Sequence, residues 1–347
     1  MCFSCRNEEV SGKKHDVKPQ MMMDENHKRR VIGMKPGHIE VSMQGKLEQL
    51  IDEHRHWTKK GAVATYIPEL SKQDPDLLGI SICEVDGTRW NAGDWKAPFT
   101  IQSISKVATF ICVLLDNEFE ELTKKISVAP TADGFNSIVN LETKNEHKPL
   151  NAMINSGAIA SISIVEGAAI EDKYNRIFSM IRDMTGNEKL QVNEAVYLSE
   201  KRTGDRNRAL AYFMKSTGII TVDVEELLDA YFRLCSIEVN CSDIAAMAAT
   251  LANEGVSPIT GKTLFDAKTA RIVKGVMTTC GLYDGSGEFA VDVGMPGKSG
   301  VGGGIMTVSP RLLGIGVMGP ALDPKGNSLG GWKLLQSLSE EWDLNIF

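Results

Sequence analysis

Strand-like segments occur near both ends of the patterned part of this chain, and a long helical stretch lies between them. Residues 77–96 predict two short strands joined at Asp86-Gly87, a dipeptide suited to a tight hairpin. Residues 287–320 carry three short β-like runs, FAVDVGMP, GGIMTVSP and LLGIGVMGP, separated by glycine and proline. Because the links are hairpin-sized, we predict an α+β fold with one antiparallel sheet built from both ends of the chain.

Helical spacing of apolar residues runs through the region from about 103 to 275 and recurs outside it. Ser242 is expected to cap the N-terminus of one helix, which would end near Gly255. Apolar side chains recur every three or four residues in further segments, namely 43–57, 107–114, 174–181, 224–231 and 332–342. We therefore predict helices that flank the sheet and a mostly helical region inserted between its two halves.

Size and composition fit one large folded domain. The chain has 347 residues, of which 42% are hydrophobic, and this suffices for a large buried core. The net charge of −7 gives no electrostatic reason to bind nucleic acid, and no apolar run approaches the length of a membrane span. Residues 1–38 are polar and patternless, so we expect a disordered N-terminal extension followed by a folded domain over residues 39–347.

The cysteines indicate a reducing compartment. They are seven in number and widely scattered, which fits free thiols better than a disulfide framework. The N-terminus has no apolar segment of signal-peptide type, and we expect a cytoplasmic protein. Cys2 and Cys5 form a lone C-x-x-C without a second pair of ligands, so no metal site is predicted.

A serine and a lysine three residues apart open an apolar helical pattern in FTIQSISKVATF, residues 99–110. At this spacing the Lys106 amine can reach the Ser103 hydroxyl, and a buried lysine with a lowered pKa can act as a base. All six histidines lie at or before His147, which argues against a serine–histidine pair. The motif alone is weak, because a capping serine beside a solvated lysine is the commoner case.

A second segment, KSGVGGGI at residues 298–305, places a lysine and a serine before glycines in a β-like run. Penicillin-recognising serine enzymes pair S-x-x-K with a distant K-T-G strand that lines the other side of the site. The order and wide separation of the two segments agree with that arrangement. By itself, however, K-S-G is more typical of a glycine-rich edge strand.

Beyond this motif pair, the chain resembles the serine-dependent glutaminases, the bacterial-type family with a β-lactamase-like fold. The resemblance covers nearly everything from residue 43 to residue 347, and the matching segments follow the family order. They are VATYIPEL (63–70), QSISKV (102–107), GFNSI (134–138), NAMINSGAI (151–159), SEKRTGDRNRALAY (199–212), YFRLCSIEV (231–239), MAATLANEGVSPITG (247–261), CGLYDGSGEFA (280–290) and KSGVGGGI. The resemblance implies a β-lactamase/transpeptidase-like fold and makes residues 39–347 a glutaminase catalytic domain.

The resemblance also implies an activity, the hydrolysis of free L-glutamine to glutamate and ammonia without any cofactor. Ser103 would be the nucleophile, Lys106 its base and Tyr283 a proton relay to the leaving ammonia, while the backbone N–H groups of Ser103 and Val301 would form the oxyanion hole. The family forms homodimers and homotetramers, and the apolar last helix is a candidate interface. The implied glutamine-binding residues are Tyr66 (on a loop suited to act as a lid), Gln102, Ser103, Asn155, Glu200, Asn207, Tyr231, Tyr283 and Val301.

The residue types agree with a free amino acid as substrate. Glu200 is a natural counterion for the α-ammonium group, although a glutamate in a charged stretch is ordinarily a surface residue. Asn155 and Asn207 can donate to the α-carboxylate and accept from the ammonium, although asparagine also forms turns. Tyr231 lies on an apolar helical stripe, where core packing is the default and the hydroxyl is still free to face a ligand.

Two other functions share these features. A penicillin-recognising hydrolase would use the same S-x-x-K and K-S-G segments, but the middle of the chain lacks an S-D-N element. A catalytically inactive amino-acid-binding protein would keep the pocket and lose the chemistry. The joint presence of Ser103, Lys106 and Tyr283 argues against the second alternative.

Overall fold

The computed structural model describes residues 43–131, 134, 136–143 and 146–347. The extension predicted for residues 1–38 lies outside the described residues. Within the part of the chain that is described, no helix has the length and apolar character needed to cross a membrane.

The sheet joins the two ends of the described chain. Its strands and a separate short ribbon are, in chain order, β1 (Gly79–Glu84), β2 (Arg89–Gly93), β3 (Phe99–Thr100), β4 (Glu238–Val239), β5 (Gly297–Ser299), β6 (Gly304–Ser309) and β7 (Leu313–Met318). Five of these strands form one antiparallel sheet in the order β2-β1-β7-β6-β5. In the central pair, Ile80 of β1 lies opposite Val317 of β7. The prediction of one antiparallel sheet built from both chain ends is therefore confirmed.

The hairpin between β1 and β2 turns where the sequence predicts it. Gly87 has a φ of 93°, a left-handed conformation that glycine adopts at little cost. Its N–H donates to the carbonyl of Glu84 at 3.0 Å and closes the turn. The strands then pair from Gly79 opposite Gly93 to Cys83 opposite Arg89.

One predicted strand is wrong. The run FAVDVGMP, residues 289–296, begins inside a short helix, Ser286–Asp292. Phe289 and Val293, four residues apart, are both buried, while Val291 between them is 79% exposed. This is helical rather than alternating burial. Glycine and proline often mark the end of a strand, so Gly294 and Pro296 made this segment resemble one in the sequence.

Helices cover both faces of the sheet. In chain order they are α1 (Met43–His54), α2 (Ser105–Asp116), α3 (Phe119–Lys125), α4 (Val139–Thr143), α5 (Asn155–Ile164), α6 (Ile170–Thr185), α7 (Glu194–Thr203), α8 (Asp205–Ser216), α9 (Val224–Cys235), α10 (Cys241–Ala252), α11 (Ala267–Cys280), α12 (Ser286–Asp292) and α13 (Leu329–Trp342). Met306 and Val308 of β6 belong to the core of the inserted helical region, whereas Ile305 belongs to the core beneath α1 and α13. The alternation of strand side chains thus separates two apolar layers.

Helix α10 is the contact between the sheet and the inserted helical region. All twelve of its residues are buried. Two glycines of β7 permit its close approach. A Cβ added at Gly314 would lie 2.1 Å from the backbone N of Ala249, and one at Gly316 would lie 2.4 Å from the carbonyl O of Cys241. Any side chain at these positions would push the helix away from the sheet.

The N-terminus of α10 differs from its prediction by two residues. Asn240, not Ser242, is the N-cap, since its Oδ1 accepts from the backbone N–H of Ser242 at 2.8 Å and of Asp243 at 3.1 Å. The Asp243 carboxylate accepts in return from the Asn240 N–H at 3.0 Å, which completes a capping box. The Ser242 hydroxyl instead accepts from Arg89 at 2.9 Å.

The apolar stripe of the last helix is used inside the domain. Trp332, Leu335, Leu338 and Trp342 of α13 are all buried in the layer that also contains Leu47 and Leu50 of α1. This stripe is therefore not available as an oligomer interface. The homo-oligomer itself stays a prediction.

Gly314→Ala is expected to lower the free energy of unfolding by about 1–3 kcal/mol, because the added methyl group meets helix backbone rather than a flexible side chain. Gly275→Ala in α11 is the matched control. No atom lies within 4 Å of a Cβ added there, and alanine raises helix propensity, so this variant should gain up to about 1 kcal/mol. Urea unfolding measures both changes. Wild-type stability of Gly314→Ala would contradict the close packing of α10.

Candidate active site

The serine and lysine of the S-x-x-K segment lie at the point where the ribbon β3–β4 meets α2. The backbone N–H of Ile101 donates to the carbonyl of Ile237 at 2.8 Å, which fixes the chain just before the serine. Ser103 then occupies a 3-10 turn, Gln102–Ile104, that leads into α2. The serine therefore precedes the first α-helical turn in which the sequence placed it, while Lys106 lies within that turn.

A chain of hydrogen bonds links the serine to two asparagines. The Lys106 Nζ lies 2.9 Å from the Ser103 Oγ and 2.7 Å from the Asn155 Oδ1. The Asn155 Nδ2 donates to the Asn207 Oδ1 at 2.9 Å. Three of these side chains are buried, with exposed fractions of 7% for Ser103, 1% for Lys106 and 7% for Asn155. The lysine is thus held against the hydroxyl, away from bulk water.

Burial changes the acidity of this lysine. Desolvation lowers the pKa of Lys106 to about 8, and the nearby Cys235 and Glu200 act in the opposite direction. A substantial fraction of the amine is then neutral just above neutral pH. Such an amine can accept the Ser103 proton.

Glu200 shows the opposite shift. It lies on α7 with an exposed fraction of 6%. Desolvation raises the pKa of its carboxyl group to about 7, whereas Gln102 and the charge of Lys106 favour the ionised form. A desolvated carboxylate of this kind gains from a cationic ligand. The pocket that contains the serine therefore also contains a carboxylate that can pair with a positively charged group.

The glycine-rich segment after β5 packs directly on the serine turn. A Cβ added at Gly300 would lie 2.8 Å from the carbonyl O of Ile101, and one at Gly302 would lie 2.6 Å from the carbonyl O of Thr100. Only glycine permits this distance at either position. The backbone of Val301 therefore lies close to that of Ser103, and Val301 lines the pocket.

Tyr283 reaches the serine from a turn of its own. It has a φ of 57° and an exposed fraction of 4%. Its hydroxyl donates to the carbonyl O of Ser299 at 3.2 Å. Burial raises the pKa of Tyr283 to about 12, although hydrogen bonds with Ser103 and Ser299 oppose the shift. The phenol therefore stays protonated at neutral pH.

Lys298 packs against this tyrosine outside the pocket. Its exposed fraction is 0%, and its Nζ donates to the carbonyl O atoms of Gly281 and Ser299, both at 2.7 Å. The amine lies 4.4 Å from the centre of the Tyr283 ring. Desolvation, followed by the charge of Lys106, lowers its pKa well below the usual range. The lysine of K-S-G thus fixes the tyrosine and does not enter the pocket.

One cavity collects most of the predicted residues. It occupies about 520 Å³ including its open mouth. Eight of the nine predicted glutamine-binding residues line it: Tyr66, Gln102, Ser103, Asn155, Glu200, Asn207, Tyr231 and Val301. The ninth, Tyr283, is not a lining residue but forms a hydrogen bond with Ser103. Tyr66 is 53% exposed and sits at the mouth, while Tyr231 is buried at 4%.

Several lining residues escaped the sequence interpretation. Cys235 is buried in the cavity wall, where desolvation raises its pKa to about 12 and keeps the thiol neutral. Arg206 lines the mouth, and its Nε donates to the carbonyl O of Asn136, another lining residue, at 2.8 Å. All three stand in segments that carry the family resemblance, so the same motifs could have indicated them. Among the described residues, no group of three or more histidine, cysteine, aspartate or glutamate side chains could hold a metal ion.

Comparisons with known proteins identify the family to which this chain is similar. Residues 61–347 match the family model described as glutaminase. A glutaminase of Clostridium tetani (strain Massachusetts / E88) is 57% identical over 305 residues, which is 88% of this chain and 100% of that protein. A glutaminase of Clostridium botulinum (strain Loch Maree / Type A3) is 53% identical over the same shares of the two chains.

Solved structures show the same likeness. A probable glutaminase of Bacillus subtilis superposes with a TM-score of 0.82 at 38% identity, over 88% of this chain and 97% of that one. A probable glutaminase of Bacillus subtilis complexed with 6-diazo-5-oxo-L-norleucine gives a TM-score of 0.81 at 36% identity, over 90% of this chain and 99% of that one. On these grounds the chain described here belongs to the glutaminase family.

Proposed function

We propose that this protein hydrolyses the side-chain amide of free L-glutamine to L-glutamate and ammonia through an acyl-enzyme on Ser103. The observation that carries the proposal is a buried serine bonded to a buried lysine, in one cavity with a desolvated carboxylate. Ser103 supplies the nucleophile and Lys106 supplies its base. The carboxylate, Glu200, supplies the counterion that a free amino acid requires.

Acylation begins with neutral Lys106. Its Nζ takes the proton of the Ser103 Oγ at 2.9 Å, and the Oγ bonds to the amide carbon of glutamine. The backbone N–H groups of Ser103 and Val301 stabilise the negative charge that develops on the amide oxygen. The carbon–nitrogen bond then breaks, and the proton held by Lys106 returns to the leaving nitrogen through the Tyr283 phenol, which releases ammonia.

Deacylation repeats these steps with water. The water oxygen attacks the ester carbon while Lys106 takes one of its protons. The bond from carbon to the Ser103 Oγ breaks, and the oxygen recovers its proton from the Lys106 ammonium. Glutamate leaves, and the resting enzyme is restored without any cofactor.

Recognition of the amino-acid end rests on three residues. Glu200 pairs with the α-ammonium group, which favours the ionised carboxylate and offsets its desolvation. Asn155 and Asn207, which already bond to each other, are placed to bind the α-carboxylate. The ligand of the Bacillus subtilis structure supports a glutamine-like substrate, because 6-diazo-5-oxo-L-norleucine is an amino acid with a diazoketone in place of the amide.

We further propose a cytoplasmic homo-oligomer. The five cysteines among the described residues are free and buried, as expected in a reducing compartment.

A coupled ammonia-release assay with glutamine, asparagine and a β-lactam tests the function as a whole. Hydrolysis of the β-lactam instead would favour a penicillin-recognising enzyme, and glutamine binding without ammonia release would favour an inactive binder.

Ser103→Ala should abolish turnover, with kcat reduced at least about 10³-fold, because it removes the hydroxyl that forms the proposed acyl-enzyme. The fold should remain, since the Ser103 side chain caps no helix. Steady-state kinetics and thermal unfolding on the same sample measure the two effects. Substantial turnover by a folded Ser103→Ala protein would refute the serine mechanism.

Lys106→Arg should be nearly as damaging as Lys106→Ala. Arginine keeps the positive charge but does not deprotonate at usable pH, so it cannot act as a base. In the wild type, kcat/KM should rise with pH towards a plateau above the pKa of Lys106, about 8, because the neutral amine is the active form. A well-functioning Lys106→Arg enzyme would mean that the lysine acts only by its charge.

Glu200→Gln should raise KM for glutamine and narrow the preference for glutamine over N-acetyl-glutamine. The ammonium–carboxylate bond is worth about 1.5–3 kcal/mol, or roughly 10–100-fold in kcat/KM, and an acetylated substrate cannot form it. The pH dependence of kcat/KM provides a second measurement. Its acid limb in the wild type reports two groups, Glu200 near 7 and Lys106 near 8, and in the variant only the lysine. Equal wild-type rates on both substrates would show that Glu200 does not recognise the ammonium.

A further inference from the structure

Thr100 does not line the glutamine pocket, but its side chain bonds to a residue that does. It ends β3, lies opposite Glu238 of β4 and is 3% exposed. Its Oγ1 accepts a hydrogen bond from the Nε2 of Gln102 at 3.2 Å, and both side chains are buried. The hydroxyl is therefore placed to hold an amide of the pocket wall.

The Gln102 side chain is also confined by the glycine-rich segment after β5. A Cβ added at Gly300 would lie 3.1 Å from the Gln102 Cβ, and one at Gly302 would lie 3.4 Å from its Cγ. Gln102 itself has a φ of 48°, a left-handed conformation that residues other than glycine seldom adopt. Such a conformation persists only where the surrounding contacts enforce it. The glycine-rich segment and the Thr100 hydroxyl thus leave the amide little freedom.

The orientation of this amide suits a neighbouring carboxylate. Desolvation raises the pKa of Glu200 to about 7, and hydrogen bonding from Gln102 is the larger of the two influences that oppose this rise. The amide nitrogen carries two hydrogens, and Thr100 accepts one of them. A reversed amide would turn its carbonyl oxygen towards the carboxylate, which accepts hydrogen bonds but donates none when ionised.

Backbone bonds attach the helix of Glu200 to the ribbon β3–β4. The N–H of Asn193, the N-cap of α7, donates to the carbonyl O of Ser236 at 2.8 Å. The N–H of Glu238 in β4 donates to the carbonyl O of Gln191 at 2.8 Å. The helix that carries the carboxylate is thus attached to the ribbon that carries the threonine hydroxyl.

We propose that Thr100 is a positioning residue that sets the preference for a free α-amino group, because it holds the Gln102 amide in the orientation that supports the Glu200 carboxylate. The inference rests on the proposed function, since it concerns how the α-ammonium group of glutamine is recognised. Thr100 acts through Gln102 and Glu200, and it takes no part in the chemistry at Ser103.

Thr100→Val removes the hydroxyl and keeps the branched shape of the side chain. Steady-state kinetics should show KM for glutamine raised about three- to tenfold, the factor expected for one buried hydrogen bond, with kcat within about twofold of the wild type. The kcat/KM for N-acetyl-glutamine should stay unchanged, because this substrate has no ammonium group. Thr100→Ser keeps the hydroxyl and should restore the wild-type KM.

Thr250→Val is the matched control. Thr250 of α10 is 0% exposed, and its hydroxyl donates to the carbonyl O atoms of Met184 and Ala246, both at 3.1 Å. This variant should lose comparable stability in thermal unfolding and keep wild-type kinetics. Because the Thr100 hydroxyl acts through the carboxylate, Thr100→Val should cause no further loss in a Glu200→Gln background.

Four results would overturn the inference: a lower kcat at unchanged KM, an equal loss on both substrates, failure of Thr100→Ser to restore KM, or additive losses in the double variant. Wild-type kinetics in Thr100→Val would overturn it as well. A wild-type protein that releases no ammonia from glutamine would refute the proposed function and this inference with it. An active wild type with an equally active Thr100→Val would refute this inference alone.

Discussion

The pairing of β1 with β7 is the contact on which the rest of the structure depends. Six residue pairs, from Gly79 opposite Met318 to Glu84 opposite Leu313, join segments separated by most of the chain. Helix α10 packs on both strands of this pair, and the same sheet carries the glycine-rich segment after β5 that lies against the serine turn. The geometry of the site therefore depends on a strand pair formed between distant parts of the chain.

The sequence predicted the local chemistry of the site well and its assembly less well. The spacing of Ser103 and Lys106 is enough to place an amine beside a hydroxyl, because three residues nearly complete one helical turn. The hydrogen bond from Asn155 to Asn207 spans 52 residues, and no local pattern indicates it. Only the segments shared with the glutaminase family indicate that these two asparagines belong to one site. Cys235 was missed although it lies in one of those segments.

The errors in the fold have local causes. FAVDVGMP resembles a strand because glycine and proline follow its apolar residues, yet its burial is helical. The ribbon of Phe99–Thr100 with Glu238–Val239 has two residues a strand, too few for any alternation to be recognised. Ser242 and Asn240 are both good N-cap residue types, and only the backbone geometry shows that Asn240 is the cap.

Two left-handed residues stand on either side of the nucleophile, Gln102 with a φ of 48° and Tyr283 with a φ of 57°. Each conformation costs on the order of 1 kcal/mol outside glycine. Glycine would relieve this strain but would leave a cavity, because Gln102 and Tyr283 are only 3% and 4% exposed. The packing of these two side chains therefore maintains a strained backbone on both sides of the serine. Any effort to stabilise this enzyme should therefore leave these two positions unchanged.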